Sequence, residues 1–315
     1  MRVAFFGSSL VSAYWNGAAS YYRGLLKALA ARGFSITFYE PDVYQRQAHR
    51  DMEDPTWARV MVYPPTADAA RAAMRQAESA DLVVKASGVG IFDALLEREI
   101  LALKSRERLV AFWDVDAPAT LDRLFGDAGD PFRELVPQYD AIFTYGGGPG
   151  VVRAYQALGA GVCLPVYDAL DPEMHHPAPR DLRHACALTF LGNQMPDREA
   201  RVEEFFFSVA RRRPYWKFVL GGSGWDPRQV PRNVVTMGHV HTYDHNTLSS
   251  SALAVLNLHR ESRYGYSPAT RLFEAAGSAS CIITDESPGL ETFLTPGEEL
   301  LVARDGQDVA EYLDD

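Results

Sequence analysis

Arg271 and Glu274 stand three positions apart, so they share one face of the helix expected after Ser267-Pro268. A charged pair on a helix flanked by apolar strands has two readings. It closes on itself as a structural ion pair, or its carboxylate faces a cleft and accepts hydrogen bonds from vicinal hydroxyls. The same half of the chain holds a second kind of chemistry at its strand ends. Gly192-Asn193, Gly221-Gly222-Ser223-Gly224, Gly238-His239 and Asn257 to Arg260 each follow an apolar run. Glycines there let a ligand approach the backbone, and amides opening a helix around Ser267 to Thr270 suit a phosphate. One such glycine merely turns the chain, whereas the set points to a phosphate-containing ligand.

The first half offers less. Asp114 and Asp116, in Trp113-Asp114-Val115-Asp116, end a strand. Either is a candidate general base for removing a proton from a hydroxyl, and a strand-end aspartate also caps the next helix. The glycine run from Tyr145 to Gly150 lacks the lysine of a P-loop, so an ATPase is not indicated. In the opening loop, Gly7, Ser8, Trp15, Asn16 and Gly17 are candidates to line a cleft, with Trp15 and Asn16 placed to touch a sugar. The spacing of His239, His241 and His245 suits a metal only on an extended segment and lacks cysteine or carboxylate support, so no metal is expected. His239, directly after Gly238, is better placed to donate to phosphate.

The elements that must hold these groups read as two consecutive α/β sheets. A strand at 3–6, a glycine-containing loop, a helix from Ala18 to Arg32 and a strand at 35–40 form a β-α-β unit. The loop is not G-x-G-x-x-G, so a dinucleotide fingerprint is absent. Further strands are expected at 81–87, 108–114 and 140–146, with helices from Thr66 to Ser79 and Ile91 to Lys104. A second set follows at 187–193, 216–222, 233–238, 252–258, 280–285 and 299–303, with a helix from Asp197 to Arg212. The apolar runs are continuous, which indicates parallel sheets covered on both faces. Four prolines between 165 and 179 mark a crossing between domains. The expected division is 1–168, a linker at 169–180, and 181–315, the last lacking its final helices.

The 315 residues suffice for two full cores. A net charge of −10 is the wrong sign for a reader of nucleic-acid backbones. Cys163, Cys186 and Cys281 form no framework and read as buried small hydrophobes in a reduced, cytoplasmic compartment. No apolar run nears the roughly 18 residues of a membrane span, and the oligomeric state leaves no trace.

RLFEAAGSASCIITDESPGLETFLTPGEELLVARD resembles the C-terminal signature of GT-B glycosyltransferases of the spore-maturation CgeB type. NLHRE is similar to that family's Asn-x-x-Arg element, and FLGNQMPDR to its Gly with a downstream Arg. LPVYDALDPEMHHP resembles its proline-bounded linker, and FFGSSLVSAYWNGAASYYRGLLKALAARGF its opening. The resemblance spans both halves and implies a GT-B fold, two Rossmann-like domains with parallel sheets facing a central cleft. It implies a metal-independent enzyme of hexosyltransferase type, using no cofactor, with a nucleotide-diphosphate sugar as donor and an acceptor held by the first half. Glu274 then matches the ribose-binding glutamate. Arg198, Arg260 and Arg271 become candidates to offset diphosphate charge, Arg271 alternatively orienting Glu274. Gly192, Asn193, Gly222, His239, Asn257, Tyr266, Ser267 and Pro268 complete the expected donor site. Two positions depart from the pattern: Tyr266 stands where many retaining relatives have a second glutamate, and Ala279 where glycine is usual. An epimerase acting on a nucleotide sugar and a non-catalytic nucleotide- or sugar-binding protein are the alternatives.

Overall fold

The computed structural model describes residues 1–196, 198–259 and 264–315. The chain forms two compact units, Met1–Tyr167 and Asp168–Asp315.

Unit 1 runs β1 (Arg2–Phe6), α1 (Ala19–Ala31), β2 (Ser35–Pro41), β3 (Ala58–Tyr63), α2 (Ala67–Gln76), β4 (Leu82–Ala86), α3 (Asp93–Glu99), β5 (Leu109–Asp114), α4 (Ala117–Gly126), β6 (Ala141–Thr144), α5 (Gly148–Ala157) and β7 (Cys163–Pro165). Its sheet has the order β3-β2-β1-β4-β5-β6-β7, and every pair is parallel. Along α1 the buried side chains include Tyr21, Tyr22 and Leu26. Tyr22 meets Phe5 edge-on with centroids 5.2 Å apart, and Phe5 stacks on Phe38 at 5.4 Å. Each such large apolar side chain contributes roughly 1.5–3 kcal/mol by leaving water. The sequence reading missed β3 and β7. Both are sheet edges, where half-exposed residues and a three-residue length leave little apolar signal.

Unit 2 runs β8 (Cys186–Leu191), α6 (Glu199–Val202), α7 (Ser208–Arg212), β9 (Phe218–Gly221), β10 (Val234–Gly238), α8 (His245–Ser251), β11 (Ala252–Asn257), α9 (Thr270–Gly277), β12 (Ile282–Asp285), β13 (Leu301–Ala303) and α10 (Gly306–Asp314). The strand order is β10-β9-β8-β11-β12-β13, again all parallel. The single helix expected to Arg212 is instead α6 and α7 joined by a π turn, Glu203–Phe207. Phe205, Phe206 and Phe207 are all buried there. A regular α-helix would aim consecutive phenylalanines at widely different directions, and the wider turn changes that spacing. Asp305 starts α10, its Oδ1 accepting from the amides of Gln307 and Asp308.

Residues 169–180, expected as a linker, pack within unit 2. Asn246 Nδ2 donates to the Met174 carbonyl at 2.6 Å, the Ser250 hydroxyl accepts from Ala178 N at 3.1 Å, and His175 is buried. Cys163 and Cys186 are buried as expected, whereas Cys281 is exposed. Among the described residues no helix is long and apolar enough to cross a membrane.

In parallel sheets of this kind ligands gather beyond the carboxyl ends of the strands where the order reverses. That point lies between β1 and β4 in unit 1, and between β8 and β11 in unit 2.

Candidate functional site

Glu274 sits one turn into α9 and is 4% exposed. Its Oε2 accepts from Arg271 Nη1, the same nitrogen that lies 2.7 Å from His245 Nδ1. His245 Nδ1 is 3.5 Å from Oε2, and His175 Nε2 is 3.5 Å from Oε1. Burial alone would raise the Glu274 pKa, but Arg271, His245 and His175 together hold it well below the carboxylate range. Burial depresses both histidines, with Arg271 acting the same way on each, which favours their neutral forms. Among the described residues neither ring nitrogen of His175 finds a hydrogen-bond partner.

Among the described residues, His175, His245 and Glu274 are grouped closely enough to hold a metal ion. Arg271 Nη1 already bridges two of the atoms such an ion would use, so the guanidinium supplies the positive charge there. The sequence had grouped His245 with His239 and His241. Those two instead meet ring to ring at 5.0 Å beyond β10, while His245 belongs to the Glu274 cluster. His175 and His245 come to Glu274 from distant segments, and no local spacing advertised it.

The approach to α9 is tightly formed. Tyr266 has φ +50° and donates its amide to the Pro288 carbonyl at 2.7 Å. Its ring lies against Gly289, where a Cβ would come within 2.3 Å. Ser267 Oγ donates to the Gly265 carbonyl at 3.1 Å, and Pro268 is buried. Ala269 occupies the N-cap and contributes no side-chain hydrogen bond, which leaves the first amides of α9 without side-chain capping. Thr270 Oγ1 donates to Asp168 Oδ2 at 2.7 Å. Burial raises the Asp168 carboxyl to about 7, helped by the nearby Glu274 charge.

The loops after β8 and β9 lock together. Asn193 Oδ1 accepts from Ser223 N at 2.8 Å, and the Gly192 carbonyl accepts from Trp225 Nε1 at 2.9 Å. Gly222 has φ +123°, and a Cβ on it would fall 2.1 Å from the Gly192 carbonyl oxygen. The position requires glycine for both reasons. Arg198 Nη2 donates to the Asn193 carbonyl at 2.7 Å, and its guanidinium lies 5.6 Å above the Phe190 ring. His239 is exposed.

Several expected roles change. Asn257 is 2% exposed and spends its amide on Thr284 Oγ1 at 3.0 Å, so it braces β11 against β12 instead of reaching out. Arg260 lies outside the described residues. A cluster the sequence did not signal stands beside Asn257: Asp285 accepts from Arg201 Nη1 and from His259 Nδ1 at 2.7 Å.

In unit 1, Asp114 is fully buried. Its carboxylate accepts from Ser87 Oγ at 2.8 Å, Thr120 Oγ1 at 3.0 Å, Asp116 N at 3.1 Å and Tyr155 Oη. Burial raises its pKa against those bonds. This closed network ties β5 to α4 and α5 and suits a structural anchor better than a base. Asp116 is half-buried at the start of α4. In the opening loop Asn16 Nδ2 donates to the carbonyls of Ser9 and Ser12, both at 2.9 Å, and Ser8 Oγ donates to Asn16 Oδ1 at 2.8 Å. Ser8 and Asn16 therefore spend these groups on the loop's own shape. Gly7 is pressed against the Phe38 ring, while Trp15, 63% exposed with φ +47°, and Gly17 face outward.

This architecture of two parallel sheets is the GT-B fold. Residues 198–315 match the family described as glycosyl transferase-like. No curated protein matches the chain significantly. Among solved structures, the chain is similar over 100% of its length to 89% of HepE from Anabaena, in complex with UDP and glucose, at TM-score 0.69 and 12% identity. It is similar over 100% of its length to 89% of sucrose-phosphate synthase from Thermosynechococcus elongatus, at TM-score 0.65 and 12% identity. The lipopolysaccharide outer core galactosyltransferase WaaB in its apo form matches 100% of the chain over 88% of its own, at TM-score 0.57 and 13% identity.

Proposed function

We propose that this protein is a cytoplasmic, metal-independent glycosyltransferase of the CgeB type, moving a hexose from a nucleotide-diphosphate sugar to an acceptor hydroxyl. The observation that carries the reading is α9, inside the segment that matches the glycosyl transferase-like family. Its first amides lack a side-chain cap, and Glu274 waits one turn further in. The diphosphate takes the amides of residues 267–270, where the helix dipole favours negative charge. Glu274 Oε1, 3.5 Å from His175 Nε2, accepts a ribose hydroxyl. Arg271 holds Glu274 ionised and in place. The locked loops at Gly192–Asn193 and Gly222, with Arg198, line the site, and His239 donates to phosphate from the end of β10. Charge on the leaving diphosphate is thereby stabilised by preset donors.

On the acceptor side, Trp15 and Gly17 contact the incoming sugar and Asp116 takes the proton of its hydroxyl. Neither the epimerase nor the binding-protein reading gains support from the fold or from the family match.

A thermal-shift screen with UDP, GDP, TDP and CMP tests the donor class, because a ligand of the native state raises the melting temperature by mass action. At least one nucleoside diphosphate is expected to stabilise the protein. Calorimetry on Glu274→Ala then tests the ribose assignment, which fails if binding of that nucleotide is unchanged.

A further inference from the structure

Asp168 belongs to no element of the catalytic scheme above, yet it stands at the first residue of α9. One carboxylate oxygen, Oδ2, is engaged by Thr270 Oγ1 at 2.7 Å. The other, Oδ1, is buried and has no hydrogen-bond partner among the described residues. The residue as a whole is 5% exposed. A buried acceptor left empty costs about 1–3 kcal/mol, so an isolated capping role for Asp168 explains only half of the group. A structural cap would face the helix amides, but the side chain bonds the Thr270 hydroxyl, and the N-cap residue, Ala269, supplies no side-chain bond either. Phosphate is the wrong partner for an open carboxylate oxygen, since both carry negative charge. A hydroxyl is the right one, because it donates a single hydrogen and brings no charge.

Resting on the nucleotide-sugar reading, we propose that Asp168 Oδ1 is a second hydroxyl acceptor of the donor site, placed at the start of α9 as Glu274 is placed one turn further in. The Glu274 charge acts on Asp168, which puts the two carboxyls within electrostatic reach of one another. A bound donor carries hydroxyls in two places, on the ribose and on the transferred sugar, and Asp168 accepts from one of them. Thr270 occupies Oδ2, which leaves Oδ1 as the open acceptor.

The test is calorimetry at pH 8, where the carboxyl is ionised, on the wild type, Asp168→Ala and Thr270→Val. Each is titrated with UDP, 2′-deoxy-UDP and UDP-glucose. In the wild type UDP is expected to bind at least tenfold more tightly than 2′-deoxy-UDP, or UDP-glucose more tightly than UDP. The first result identifies the ribose as the source of the hydroxyl, the second the transferred sugar. Asp168→Ala is expected to lower that ratio about fivefold or more, any remainder in the ribose case belonging to Glu274. Thr270→Val, which keeps the carboxylate and loses only its internal bond, is expected to preserve most of it. The proposal is overturned if Asp168→Ala leaves both ratios as in the wild type, if the wild type makes neither distinction, or if both variants merely lower the melting temperature alike. Binding of none of the three compounds to the wild type overturns the nucleotide-sugar reading itself, and this inference with it.

Discussion

His245 Nδ1 lies 3.5 Å from Glu274 Oε2, and Arg271 Nη1 touches both atoms. The guanidinium thus serves a neutral acceptor and a buried anion at once. Its own side chain is 38% exposed, whereas Glu274 is enclosed. Removing the exposed partner leaves a buried charge uncompensated, while neutralising the buried one does not. Arg271→Met is therefore expected to cost about 2–3 kcal/mol, discounted for the partial exposure of Arg271, and more than Glu274→Gln. Urea unfolding of the two variants checks the order, and a larger loss in Glu274→Gln refutes it.

Acid destabilises this cluster in two stages. His175 and His245 have folded pKa values below their ordinary value of 6.5. Below that pH the unfolded chain binds protons that the folded one refuses, so stability falls as the pH drops. Glu274 is depressed as well, and its contribution is present above its ordinary 4.5 and lost only in stronger acid. His175→Leu is expected to flatten the loss of unfolding free energy between pH 7 and pH 5. An unchanged slope in that variant contradicts the assignment.

Asp168 has the opposite sign. Its folded pKa, about 7, is above the ordinary 3.8, raised by burial and then by Glu274 while the Thr270 bond pulls it down. Between those values the folded state holds more proton than the unfolded, so this residue lowers stability as the pH rises towards 7. Asp168→Asn is expected to gain on the order of 2 kcal/mol relative to wild type on going from pH 5 to pH 8. Denaturant midpoints at the two pH values measure it.

Asp114 and Asp116 separate structure from chemistry. Asp114→Ala strands several buried donors and is expected to cost about 2–4 kcal/mol. Asp116→Ala is expected to shift stability by about 1 kcal/mol at most while lowering transfer about 100-fold or more. Transfer at the wild-type rate by Asp116→Ala removes it as the base.

Gly222 and Gly17 give the corresponding contrast among glycines. Gly222→Ala meets both a positive φ and the Gly192 carbonyl oxygen and is expected to cost about 3 kcal/mol or more. Gly17 has open space around it, so Gly17→Ala is expected to stay within about 0.5 kcal/mol. Thermal melts of both variants decide it.

Local pattern carried much of this protein. The continuous apolar runs of β1 and β8 declared parallel strands buried on both faces, because such strands need no polar side. The extent of α1 was likewise legible, and so was the shared face of Arg271 and Glu274, since helical neighbours are fixed by the 3.6-residue turn. What the sequence left open was where each polar group spends its hydrogen bonds. Asn16 and Asn257 read as ligand contacts, and only packing showed their amides committed to the loop and to Thr284. Asp114 read as a base until Ser87, Thr120 and Tyr155 closed around it. The surroundings of Glu274 were the least visible, because His175, His245 and Asp168 reach α9 from segments far apart in the chain. Spacing along a chain reports only neighbours within a turn or a strand. The charge, burial and proton state of that carboxylate are set by groups that tertiary folding alone brings within a few ångströms.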